Sequence, residues 1–215
     1  MTTLPGLTAL EAHCRALAEC RRCGCSSAVK PILSHARSPR AMLVGQAPGQ
    51  AEADGGRPFA GRAGKTLFRW LARAGVDEDT ARRQIYIAAV TRCYPGPHPS
   101  GRGDRVPSRS EQDACSEWLA AELALIRPRL LIPVGRLAIM RFLPDVSLDK
   151  LIGRAHEVTH AAGPSMVIPL PHPSGASSWI HQGGHEELLE QALIVLGRTF
   201  RQLRIGSEPA CKGAV

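Results

Sequence analysis

The residues with chemistry to offer fall in four places. Cys20 and Cys23 enclose Arg21 and Arg22, a two-residue spacer that lets both thiolates face one metal centre from a single turn. Cys14 and Cys25 flank the pair, and Cys93, Cys115 and Cys211 lie far along the chain, which makes seven cysteines in all. An odd number in a reducing compartment is no disulfide framework, so metal ligation or plain burial must account for them. The other three places are rich in glycine and proline, too rich for regular structure. The first, Gly45 to Gly64, carries Gln46, Glu52, Asp54 and Phe59. Its Gly45, Pro48, Gly49, Gly55, Gly56 and Pro58 suffice to hold backbone amides and one aromatic ring over a cleft. The second, Cys93 to Pro107, carries His98, Arg102, Asp104 and Arg105. The third is Pro171-His172-Pro173-Ser174.

Something must position these segments. Short apolar runs bounded by Gly or Pro, Ala41 to Val44, Ile85 to Ala88, Leu130 to Val134 and Met166 to Leu170, read as strands buried on both faces. Helical stretches alternate with them: Leu7 to Ala18, Gly64 to Ala74, Ser110 to Ile126, Leu137 to Leu143 and His185 to Leu203. That alternation predicts an α/β fold, a three-layer α/β/α sandwich around a central four-stranded, mainly parallel sheet. Ligands of such sheets bind beyond the carboxyl ends of the strands, which is where the three glycine- and proline-rich segments lie.

Composition bounds the rest. The 215 residues, 44% of them apolar, suit one domain over residues 1–205, with 206–215 expected as a disordered tail. No apolar run approaches the roughly eighteen residues of a membrane span. Met1 to Leu10 lacks the basic and apolar regions of a secretory signal, so a soluble, cytoplasmic protein is expected. Lys and Arg number 27 against 19 Asp and Glu, a net charge of +8, and only Lys30, Lys65, Lys150 and Lys212 are lysines. The excess of arginine favours a polyanionic partner, although biased codon usage would produce the same composition.

Four stretches taken together, GQAPGQAEADGGRPFAGRAG, IYIAAVTRC, DRVPSRSEQDAC and PHPS, resemble in order and spacing the motifs of the iron-sulfur uracil-DNA glycosylases, family 4. The resemblance covers about residues 10 to 200 and implies a monofunctional DNA glycosylase whose partner is DNA containing uracil or another deaminated base; a monomer is expected. It places Phe59 as the ring that stacks on the flipped base, where base–aromatic stacking contributes about 1–3 kcal/mol. Gly45, Gln46, Ala47 and Ala89 fall with it in the base pocket. His172 falls where the family histidine contacts a carbonyl oxygen of the base as the glycosidic bond breaks, and Ser174 where a phosphate contact is expected. Cys20, Cys23, Cys93 and Cys115 are implied ligands of a 4Fe-4S cluster. Four thiolates suit structural zinc equally, and Cys25 is an alternative to Cys23. Arg92, Arg102, Arg105 and Arg109 are expected at backbone phosphates. Trp179 or Ile180 is expected either as a minor-groove wedge or packed on the last helix.

The chain departs from the family pattern in three places. Gln46 stands where the family has a glutamate, and an amide cannot accept a proton from water, so Glu52 and Asp54 are the neighbouring carboxylate candidates. Ala89 replaces the asparagine that reads the uracil edge, which implies a relaxed or shifted base preference. The loop between Cys93 and Cys115 is enlarged, as in a branch of the superfamily that traps uracil-DNA covalently through a histidine just before Arg105-Val106-Pro107. Asp104 occupies that position, so no trapped adduct is expected. Gln46 and Ala89 together motivate an alternative, an iron-sulfur protein that binds damaged bases with little or no turnover.

Overall fold

A computed structural model of the chain describes residues 5–23, 29–36, 39–101, 103–174 and 179–206. The apolar runs fold as anticipated into β1 (Ala41–Gly45), β2 (Ile85–Ala89) and β3 (Leu130–Pro133), nearly every residue of which is buried. Alternate residues serve the two faces of the sheet. Ala41, Leu43, Ile85, Ile87, Leu130 and Ile132 pack in one core with α3 (Arg62–Arg73) and α7 (His185–Leu203). Met42, Val44, Tyr86, Ala88 and Leu131 pack in the other with α1 (Pro5–Ala18), α5 (Arg109–Ile126) and the short α6 (Arg136–Ile139). The result is the expected three-layer α/β/α sandwich.

The sheet has five strands rather than four, in the order β2-β1-β3-β5-β4. The additional strand is β4 (His156–His160), antiparallel to β5 (Gly163–Val167) at the edge. Its sequence, His-Glu-Val-Thr-His, has no apolar run because only alternate residues are even partly covered. The expected strand Met166 to Leu170 is also shifted. Pro169 has no N–H to donate, and the regular strand ends at Val167. Leu170 nevertheless remains aligned with β3, its N–H donating to the Pro133 carbonyl at 2.9 Å.

Two helices lie between β1 and β2 beside the expected α3. These are α2 (Gln50–Gly55) and α4 (Glu78–Gln84), the latter started by Asp77, whose carboxylate accepts from the Thr80 N–H at 2.8 Å. The crossover from β1 runs to β2 on one side and that from β3 to β5 on the other. The chain therefore diverges between β1 and β3 and leaves a crevice at their carboxyl ends, the place where open parallel sheets bind ligands. Among the described residues no helix is long and apolar enough to cross a membrane.

Candidate active site

A cavity of about 300 Å³ opens at that crevice. Gly45, Gln46 and Ala47 enter it from the end of β1, Ala89 from the end of β2, and Val134 from the end of β3. Phe59, Glu52, His172, Ser174, Asp104 and Arg105 complete the wall, with Glu52 and Asp104 both against Gly49. The expected base-pocket residues Gly45, Gln46, Ala47, Phe59, Ala89 and His172 are thus all brought together.

Phe59 is held by backbone geometry. Its φ of +51° lies in the left-handed region, unusual for a bulky side chain. A Cβ on Gly64 would stand 1.9 Å from the Phe59 carbonyl oxygen, so that position requires glycine, and one on Gly45 would stand 3.0 Å from the ring and push it aside. Arg82 on α4 locks the turn, donating to the Pro58 carbonyl at 2.9 Å and the Phe59 carbonyl at 3.2 Å while lying 4.4 Å over the Phe68 ring. The Phe59 ring packs against the core on one side and lines the cavity on another. Sequence reading missed Arg82; its only signal was the i, i+4 pairing with Glu78 on an unrecognised helix.

The two carboxylate candidates have different fates. Glu52 lines the cavity, but both its oxygens are occupied: Oε2 accepts from the Gly49 N–H at 2.8 Å and Oε1 from the Gly61 N–H at 2.9 Å. It staples the two ends of the loop. Asp54 is exposed, accepts from the Gln50 side chain at 2.8 Å, and does not reach the cavity. Two residues beyond Glu52, it falls on the opposite face of α2.

His172 is fixed by its own motif. The Ser174 backbone N–H donates to Nδ1 at 3.3 Å and the Ser174 hydroxyl lies 2.8 Å from the same atom. A backbone N–H can only donate, so Nδ1 presents its lone pair and the neutral ring carries its proton on Nε2. Burial lowers the His172 pKa, which keeps that neutral form. Gly135, at φ +83°, leaves room for the ring, since a Cβ there would stand 2.9 Å from Cδ2. Ser174, expected at a phosphate, here orients the imidazole.

The arginines divide sharply. Arg92 is not on the surface: it is 2% exposed and forms a buried ion pair with Glu122, itself 0% exposed. The Tyr86 hydroxyl donates to the same carboxylate at 2.8 Å, and His13 Nε2 stands 3.4 Å from it. The chain leaving β2 turns Arg92 into the layer between α1 and α5, away from any phosphate. Arg105 lines the cavity mouth but is clamped in a two-pronged pair with Glu111, at 2.7 and 2.5 Å, which holds the Glu111 carboxyl down to about 2. Arg109 is exposed on the first turn of α5 beside Asp113. Arg102 lies outside the described residues, as do Cys25, Cys211, residues 207–215 of the expected tail and most of the loop before Trp179. The Trp179 ring stacks on His185, centroids 4.2 Å apart and planes 19° from parallel, and packs on the core with Ile180. Of the two expectations for this pair, the structure has the packing on the last helix.

The four expected cysteine ligands lie around the junction of α1 and α5. Burial raises the Cys115 thiol, opposed by Arg92, whose backbone N–H donates to that sulfur; Cys23 and Cys20 are close enough to act on it too. Cys93 directly follows Arg92 and is buried. The Trp118 indole N–H donates to the Cys20 sulfur at 3.2 Å. Among the described residues no three Cys, His, Asp or Glu side chains are so arranged as to hold a metal ion where they stand.

Comparison with known proteins agrees with this geometry. The family model described as the uracil DNA glycosylase superfamily matches residues 33–201. The chain is 34% identical over 137 residues to the type-4 uracil-DNA glycosylase of Thermotoga maritima, covering 63% of this chain and 65% of that protein. It is 29% identical over 167 residues to the type-4 enzyme of Archaeoglobus fulgidus, covering 74% and 79%. It is also 32% identical over 146 residues to a type-5 uracil-DNA glycosylase of Pyrobaculum aerophilum, covering 63% and 61%. The match spans somewhat less than two thirds of the length of the Thermotoga relative. The matched region holds every described strand and all of the cavity wall but Ile32, and on that ground the chain belongs to the uracil DNA glycosylase superfamily.

Proposed function

We propose that the protein is a monofunctional DNA glycosylase that draws a deaminated base, uracil foremost, out of the DNA stack and hydrolyses its N-glycosidic bond, leaving an abasic site. One observation carries this reading: a neutral, Nε2-protonated His172 and the Phe59 ring line the same cavity. An extruded base loses its stacking neighbours, and Phe59 supplies an apolar face in their place. As the bond from C1′ to the base nitrogen breaks, its electron pair moves into the base and negative charge grows on a carbonyl oxygen. A donor aimed at such an oxygen contributes about 3 kcal/mol, and Nε2–H of His172 is that donor.

Base choice follows from the wall. Ala89 offers a methyl group where an amide would read the base, and Gln46 is the carboxamide among the lining side chains. Its N–H and C=O can face the acceptor and donor of a uracil edge, a contact that discriminates by about 1–3 kcal/mol. The polyanionic partner is met by the +8 charge, with Arg109 exposed on the first turn of α5.

The cysteine set fits a thiolate-bound cluster, since N–H groups already point at the sulfurs of Cys20 and Cys115. Cys20, Cys23, Cys93 and Cys115 would hold it; a 4Fe-4S cluster there supplies structural cross-linking between α1, the end of β2 and α5 and enters no chemical step. Structural zinc is the alternative, and iron, sulfide and zinc analysis of the purified protein decides between them.

The test of function is a panel of duplexes carrying uracil, hypoxanthine or xanthine, incubated with the protein and then cleaved by alkali. Strand breaks at uracil are expected, slowed about 10²–10³-fold in His172→Ala. Saturated binding without breaks would replace this reading by the damaged-base binder that Gln46 and Ala89 favour.

A further inference from the structure

Excision needs a group to orient water and take its proton, and the position where the family carries a carboxylate holds Gln46. We infer that Asp104, delivered by the enlarged loop, is that group; the inference rests on the glycosylase reading above. Among the described residues two carboxylates line the cavity, Glu52 and Asp104. Glu52 has both oxygens committed to backbone N–H groups. Asp104 does not. It is exposed to water, and its Oδ2 lies so close over Gly49 that a Cβ there would stand 2.5 Å away, which puts the carboxylate against the loop that leaves β1.

The enlarged loop is built to hold it there. Pro97 and Asp104 form an antiparallel bridge, closed by the His98 N–H to the Gly103 carbonyl at 2.9 Å and the Arg105 N–H to the Gly96 carbonyl at 3.1 Å. Gly96, Gly101 and Gly103 take positive φ at its turns. The next residue, Arg105, is pinned to Glu111 on α5 by two hydrogen bonds, which anchors the arm to that helix. Burial and then the Asp104 carboxylate raise the Tyr94 pKa, which places that hydroxyl near the carboxylate. A segment read as irregular is therefore a small hairpin arm bringing an ionisable group to the cavity rim.

The step balances as follows. The C1′–N bond of the nucleotide breaks and its electron pair leaves with the base, held at a carbonyl oxygen by His172. A water oxygen bonds C1′ on the opposite face, and its proton passes to the Asp104 carboxylate. Base anion, abasic sugar and protonated Asp104 result, and the last proton returns to solvent or to the departing base.

The test is single-turnover excision from a uracil duplex with protein in excess, for wild type, Asp104→Asn and Asp104→Asn with Gln46→Glu. General-base removal lowers rates about 10²–10⁴-fold. The single variant is expected to lose at least 100-fold in rate at saturation while its affinity for the duplex is unchanged, and the double variant to regain part of that loss. Asp104→Ser gives the same readout should the asparagine variant fold poorly. A loss under threefold, or one that disappears when binding is saturated, would overturn the role of Asp104 while leaving the glycosylase standing. A denaturation-resistant protein–DNA adduct requiring Asp104 would make it a nucleophile and overturn the role as well. Wild type that releases no base at all would remove the glycosylase reading and this one with it.

Discussion

Glu52→Gln separates a structural staple from a chemical base at one position. In the folded protein each carboxylate oxygen accepts one backbone N–H, from Gly49 at 2.8 Å and from Gly61 at 2.9 Å. Glutamine keeps one acceptor and turns an NH₂ toward the other N–H, so one charge-assisted bond is lost and two donors face each other. A hydrogen bond to a charged group contributes about 1.5–3 kcal/mol, and the substitution should destabilise by about that much. For a chain of this size about 1 kcal/mol moves the melting temperature by about 2–4 °C, which predicts a fall of about 3–12 °C. Because the loop between the two anchors carries Phe59, excision should slow in parallel, and cooling below the new melting range should recover much of it. Thermal unfolding followed by optical signal, beside single-turnover excision at several temperatures, measures both. An unchanged melting temperature with an excision rate reduced about 10²-fold at every temperature would show that Glu52 takes the proton and refute the staple.

Other perturbations follow from the same geometry. Gly64→Ala places a methyl group 1.9 Å from the Phe59 carbonyl oxygen, so overpacking by about 1–3 kcal/mol and weakened binding of uracil duplex are expected; wild-type melting and affinity would contradict the packing. Arg92→Met strands the buried Glu122 and should lower unfolding free energy by about 3–5 kcal/mol in urea titration, whereas Arg92→Met with Glu122→Leu should recover most of it. His172, His13 and His160 all have pKa values lowered by burial. The unfolded chain binds their protons near pH 6.5 and the folded chain only at lower pH, so stability should be level above about pH 7 and fall as pH drops through 6.5. A denaturation midpoint that rose between pH 7 and 5.5 would reverse that sign.

Strand runs, crossover helices and the glycine-rich segments at the strand ends were legible along the chain, because burial on both faces leaves continuous apolar stretches and tight turns demand Gly and Pro. Phe59 and His172 were placed through the family resemblance of their motifs, whose form depends on neighbours one to three residues away. The edge strand β4 was not, since a half-covered strand of His, Glu and Thr has no apolar run to find. Nor was the fate of individual charges. Arg92 and Arg105 look alike in sequence, yet one is sealed beneath the sheet by Glu122, thirty residues on, and the other is clamped at the cavity mouth by Glu111. Glu52 and Asp104 are likewise both acidic residues in glycine-rich segments, and only the closure of those segments onto Gly49 decides that Glu52 has both oxygens on backbone N–H groups while Asp104 faces water. A residue's own type and its near neighbours set whether it can ionise, stack or turn; which partner neutralises it is set by strand register and loop closure across tens of residues, a tertiary property that no local pattern encodes.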